Sequence, residues 1–146
     1  MLFATGAGVH RAVLSLGRAA AEDYQKTLAQ MTLATLTPRA GLVSFGLTWG
    51  EPVPGENTLR RAASVEWRGR LGGRPVTLGA SVAETDGSRF FGTAREDHIT
   101  RLSASTPVGR VEVGGFVEER RSTVSAYDDV TFGATVRIAI NLLEGR

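Results

Sequence analysis

Apolar and polar residues alternate with a period of two along most of this chain. From Val130 onward, Val130, Phe132, Ala134, Val136, Ile138, Ile140 and Leu142 interleave with Thr131, Gly133, Thr135, Arg137, Ala139 and Asn141. Side chains alternate faces along an extended backbone, so this pattern predicts one long strand with an apolar face. It is longer than the usual soluble strand of about five or six residues, and close to the roughly nine to eleven that cross a bilayer at a tilt. Before it, Val111, Val113 and Val117 oppose Arg110, Glu112, Glu118 and Arg120, and the polar stretch 121–129 joins the two into a final hairpin.

The same rhythm runs through the middle of the chain. Val43, Phe45, Leu47 and Trp49 alternate with Ser44, Gly46, Thr48 and Gly50, and Ala63, Val65, Trp67 and Leu71 with Ser64, Glu66, Arg68 and Arg70. Gly72-Gly73 suits a two-residue hairpin turn, whose central positions need positive φ. Val76 to Thr85 returns as a strand, 86–97 reads as a long polar loop, and His98 to Thr106 follows with Leu102 and Ala104 against Arg101, Ser103 and Ser105. Nearer the start, 8–17 is a first strand with Leu2 and Ala4 beside it. Residues 25–36 form a second, for which a short helix over 18–31 is the alternative, because Arg18 to Met31 is rich in helix formers.

Counted this way, one domain over 1–146 holds about eight strands, with short connections near Pro38, Gly72 and Pro107 and long ones near Glu22, Gly55, Gly92 and Ser125. That asymmetry predicts an all-β fold, an antiparallel up-and-down β-barrel of the transmembrane type, complete or part of a larger barrel.

Composition narrows the partners. With 42% hydrophobic and 22% charged residues and no run of about 18 apolar residues, neither a disordered tail nor a helical membrane protein fits. No cysteine is present, which removes disulfides and thiolate ligands. The net charge of +2 and the interleaving of arginine with carboxylates argue against nucleic acid. Residues 1–16 lack the basic start of a secretory leader, which suits a mature chain or a fragment.

Alternation alone does not say which face is inside, so the polar face must decide. It carries glycine, serine, threonine and alanine with arginine and glutamate, the small residues and mutually satisfying charges of a narrow barrel interior. The expectation is a lumen network of Glu66, Arg68, Arg70, Arg110, Glu112, Glu118 and Arg137. The alternative is a solvated face with scattered ion pairs on a soluble barrel or sandwich that binds a hydrophobic ligand or a partner subunit. Trp49, Tyr24 and Tyr127 fall near connections, as an interfacial belt requires, and Phe90, Phe91 and Tyr127 are candidate loop contacts. His98, with Ser103 and Ser105 on its strand, is the one candidate for a rim-located hydrolase, but Asp97 beside it faces the other way. Two histidines and no cysteine make a zinc site a poor expectation, and no cofactor motif is present.

Two loop motifs carry a resemblance. Phe91-Gly92-Thr93-Ala94-Arg95-Glu96-Asp97 and Glu119-Arg120-Arg121-Ser122-Thr123-Val124-Ser125-Ala126-Tyr127-Asp128, followed by the last alternating strand, resemble the C-terminal barrel of the surface lipoprotein assembly modifier family. The resemblance covers about a third of the chain. It implies a bacterial outer-membrane barrel that helps move lipoproteins to the cell surface, with outer-membrane lipid and a lipoprotein or other protein client as partners and no catalytic site. No site residue is carried over from it. The chain departs from that pattern in lacking a helical-repeat domain, in holding too few strands, and in running past Leu142-Leu143 to Glu144-Gly145-Arg146 rather than finishing on an aromatic residue. A barrel fragment, a reduced relative and an unrelated small barrel are the three readings this leaves.

Overall fold

A computed structural model describes residues 1–6, 8–20 and 25–138. Nine strands follow one another as β1 (Leu2–Thr5), β2 (Gly8–Ala20), β3 (Gln25–Thr37), β4 (Gly41–Gly50), β5 (Thr58–Leu71), β6 (Arg74–Phe90), β7 (Thr93–Val108), β8 (Val111–Ser122) and β9 (Asp129–Ile138). Each pairs antiparallel with the next in a single sheet of order β1 to β9, an up-and-down meander. One 3-10 turn, Ser125–Tyr127, interrupts the last connection. Among the described residues β1 and β9 form the two edges and do not pair with each other, so the sheet is not closed into a barrel.

Two expectations change. Within the helical alternative over 18–31, residues 18–20 and 25–31 are strand, because Arg18 pairs Thr27 and Leu14 pairs Met31 in one ladder; pairing overrides the local preference for helix. The position of Tyr24 and the continuation through Ile140 and Leu142 lie outside the described residues. The polar stretch 86–97 is not a long loop. β6 and β7 run through it and turn at Phe91-Gly92, where φ is 47° and 84°, the left-handed pair of a tight hairpin turn. Polar residues on both faces there left the segment without the apolar alternation that marks a strand, although one face carries the buried Asp97. Gly72-Gly73 turns in the same way, with φ 57° and 81°, as the sequence predicts.

Cross-strand register gathers the alternating residues into rows. Ala12, Leu33, Phe45, Val65, Ala80, Leu102, Val117 and Phe132 are successive partners across β2 to β9 and share one face. The neighbouring row on the other face is Val13, Thr32, Gly46, Ser64, Ser81, Arg101, Glu118 and Thr131. Among the described residues no hydrophobic side chain is buried, and the three buried residues are Lys26, Thr58 and Asp97. The interior of an ordinary soluble fold is missing here, and the apolar residues stand on an uncovered face.

Candidate functional site

The apolar face has defined limits. On β6 the outward positions between Arg74 and Glu84 are Val76, Leu78, Ala80 and Val82, and on β5 those between Arg61 and Leu71 are Ala63, Val65, Trp67 and Gly69. Ten residues of strand span ~33 Å, or ~25 Å of height at a barrel tilt of about 40°. At the end nearer the long loops the band stops on a line of charge: Arg61, Glu84, His98 and Arg121 are successive cross-strand partners. Arg61 donates to Glu84 through Nη2 at 2.9 Å and also through Nε, and His98 Nδ1 lies 3.7 Å from Glu84. Trp49 ends the band beside this line. Trp67 stands on the outward face of β5, and its indole Nε1 reaches the opposite end of the band, donating to the Ala40 carbonyl in the short turn at 2.6 Å.

The polar face curls inward. Glu66 and Arg68 on β5, Arg101 on β7, Glu112 on β8 and Arg137 on β9 line one cavity of about 120 Å³. Four strand spacings on a flat sheet would put β5 and β9 ~19 Å apart, so a shared cavity requires curvature towards this side. Arg68 donates to Glu66 at 2.7 Å, Arg101 to Glu118 at 3.4 Å and Ser105 to Glu112 at 2.5 Å. Of the expected lumen residues, Glu66, Arg68, Glu112 and Arg137 meet here, and Glu118 joins through Arg101. Arg70 lies towards the short-turn rim in a separate hollow with Arg68 and Glu112. Arg110 is misplaced in the expectation: it sits in the Gly109-Arg110 turn rather than on a strand face, because β7 runs to Val108 and β8 begins at Val111.

The sequence reading missed Arg101 and Phe116 as a unit. The Arg101 guanidinium stacks 3.7 Å from the Phe116 ring centroid, and a Cβ on Gly133 would come within 2.3 Å of that ring. An aromatic among glycines on an otherwise polar strand face was the available signal.

At the long-loop end, the two motif segments converge on Asp97, 1% exposed. It accepts from Arg95 Nε at 2.9 Å and Nη2 at 2.6 Å, from Ser122 Oγ at 2.6 Å and from Asn57 Nδ2 at 2.9 Å. Arg95 also stacks 3.6 Å from the Tyr127 ring centroid, Phe90 packs edge-on against Tyr127 and Phe91, and the Ser122 amide donates to Asp128 at 2.7 Å. Burial pushes the Asp97 carboxyl up, but the bonds from Arg95, Ser122 and Asn57 outweigh it and hold the group below the usual carboxylate range. Phe90 and Tyr127 are therefore packed within the loop cluster, whereas Phe91 is 95% exposed at its tip. The spacing of Arg95 and Asp97, two apart on one strand face, was the legible sign of this pairing.

His98 faces outward beside Glu84, whereas Ser103 and Ser105 face the polar side, so the three do not meet. His10 stacks on Phe3 at 5.0 Å and bonds Thr35 Oγ1 at 3.1 Å. Among the described residues no group of three histidine, cysteine or acidic side chains is placed to hold a metal. No family model matches the sequence, and no curated protein or solved structure matches it either.

Proposed function

We propose that this chain is an integral β-barrel of the bacterial outer membrane, or part of a larger one, with a structural, transport or surface-assembly role. The observation that carries the reading is the outward band on β5 and β6: its positions from Val76 to Val82 and from Ala63 to Gly69 are apolar, and the charges that bound it on β6, Arg74 and Glu84, stand ~25 Å apart in height at a barrel tilt, the scale of the apolar belt of a transmembrane barrel at about 25 Å. A polar, inward-curling face with paired arginines and glutamates supports it from the other side. Backbone groups exposed at β9 and along the outer part of β2 need partners in hydrocarbon, so the barrel closes by joining these edges or by adding further strands. Export of lipoproteins to the cell surface is the specific role that the two loop motifs suggest, with the Asp97 cluster locking the long loops in place for a protein client.

Extraction and heat-modifiability test the reading. The chain is expected to require detergent, and its unheated band is expected to migrate apart from the boiled one on an SDS gel. A monodisperse, β-rich, cooperatively melting protein in plain buffer would overturn it and would assign the apolar face to a hydrophobic ligand or partner subunit.

A further inference from the structure

The two rims of the sheet are charged differently. At the long-loop end Arg60, Arg61, Arg95 and Arg121 each meet a carboxylate, in Asp86, Glu84, Asp97 and Glu119. At the other end the strands return through the turns at 38–40, 72–73 and 109–110, which carry Arg39, Arg70, Arg74 and Arg110 in or beside them. All four are exposed, and among the described residues none has a carboxylate partner. Two carboxylates approach this rim on the polar face, and both are engaged. Glu66 is held by Arg68 at 2.7 Å, and Glu112 accepts from Ser105 at 2.5 Å with Arg137 as its cross-strand neighbour.

The placement of the four arginines selects what they meet. Successive turns on one rim are two strand spacings apart, or ~10 Å, so the charges form a row rather than a single cluster. Arg39 and Arg70 line one hollow of about 590 Å³ with Trp67, and the hairpin over 69–76 projects past its neighbours, since β4 pairs no further than Arg68 and β7 no further than Thr77. The row runs along the lower limit of the apolar band, which Arg74 itself ends on β6. Trp67 stands at the same limit, its ring on the outward face and its Nε1 donating to Ala40 in the turn. Cations beneath an apolar belt, with a tryptophan at the join, fit a plane of phosphates lying under hydrocarbon. Neither a nucleic acid nor an acidic peptide would account for the apolar belt that adjoins the row.

Resting on the membrane reading above, we propose that the short-turn rim is a docking surface for an anionic phospholipid leaflet, whose phosphates are held at Arg39, Arg70, Arg74 and Arg110.

The chain carries two tryptophans, one at each end of the band, and each can report on its own rim. In Trp49→Phe the remaining Trp67 reads the short-turn rim; in Trp67→Phe the remaining Trp49 reads the other. Whole chains are reconstituted in phosphatidylcholine vesicles containing brominated phosphatidylglycerol or brominated phosphatidylcholine, and quenching of the indole is measured. At Trp67 phosphatidylglycerol is expected to be favoured about fivefold, the scale of one arginine at an anionic surface. The preference should fall to parity in about 1 M salt and be absent at Trp49, where the neighbouring arginines are paired. Arg39→Gln, Arg70→Gln, Arg74→Gln and Arg110→Gln together should abolish it, and lysine at the same four positions should keep it, because a leaflet reads charge. Parity at Trp67, an equal preference at both tryptophans, or a preference that survives the four glutamines overturns the surface. If the glutamine chain does not fold, a preference at Trp67 that persists in high salt overturns it equally. Parity at Trp67 with salt-sensitive retention on heparin assigns the arginines to a soluble polyanion instead. The gel assay stays independent: a heat-modifiable, detergent-requiring chain with parity at Trp67 loses only the lipid surface, whereas solubility in plain buffer removes the membrane reading and the surface with it.

Discussion

The central band of the sheet and the long-loop end reverse the usual roles of apolar and polar residues. In the band, Phe45, Val65, Leu102 and Phe132 stand exposed on one face, joined by backbone ladders rather than by a common core. At the loop end the buried side chain with most at stake is a carboxylate, Asp97, held by three polar partners from three separate segments. The band thus depends on its surroundings to favour apolar surface, and the loop cluster carries its own stability in water. On the proposed membrane reading, the first region would be matched to hydrocarbon and the second to solvent.

The largest effect separating them is expected at Asp97. Asp97→Ala leaves the largely enclosed Arg95, its side chain 14% exposed, without its counter-charge and should cost about 3 kcal/mol in urea unfolding followed in micelles. The pH dependence runs with it. Because the folded carboxyl is held below its ordinary value, its contribution is fully present above the unfolded pKa of about 3.9 and disappears as pH falls through the lower folded value. Asp97→Asn should remove that acid-dependent component, and an unchanged acid profile would show that the cluster does not depend on the charge.

Next comes Val65→Arg, at the centre of the band. In a bilayer a charge at mid-depth should cost about 2–4 kcal/mol of folding stability. An exposed position on a soluble sheet would change by less than about 0.5 kcal/mol, so folding into liposomes measured against folding in plain buffer distinguishes the two.

The smallest effect belongs to the hairpin tip. Phe91 is the only non-glycine residue with positive φ among those described, and it is 95% exposed. Phe91→Gly should relieve about 1 kcal/mol of backbone strain and leave the Asp97 cluster unchanged, measured as a small rise in urea midpoint. A fall instead would mean that the ring's edge-on contact with Phe90 outweighs the strain.

Alternation by itself settled which residues share a face, since a period of two leaves no other arrangement once a segment is extended. The opposition of Val65 and Trp67 to Glu66 and Arg68, the Gly72-Gly73 turn and the meander of strands all follow from that local geometry. The sequence also placed Glu112 and Arg137 on the polar face. What it did not settle depends on partners far along the chain. Residues 86–97 looked like a loop because polarity on both faces removes the apolar alternation of a strand; only pairing to the opposite strand distinguishes a polar ribbon from a loop. Residues 25–31 read as strand with helix as the alternative, and only the ladder that pairs Leu14 with Met31 removed the alternative. Arg110 moved from strand to turn because hairpin register depends on both strands together. The convergence of Asn57 and Ser122 on Asp97 joins residues 40 and 25 positions from that carboxylate, a distance over which spacing carries no signal, and tertiary pairing alone brought them together.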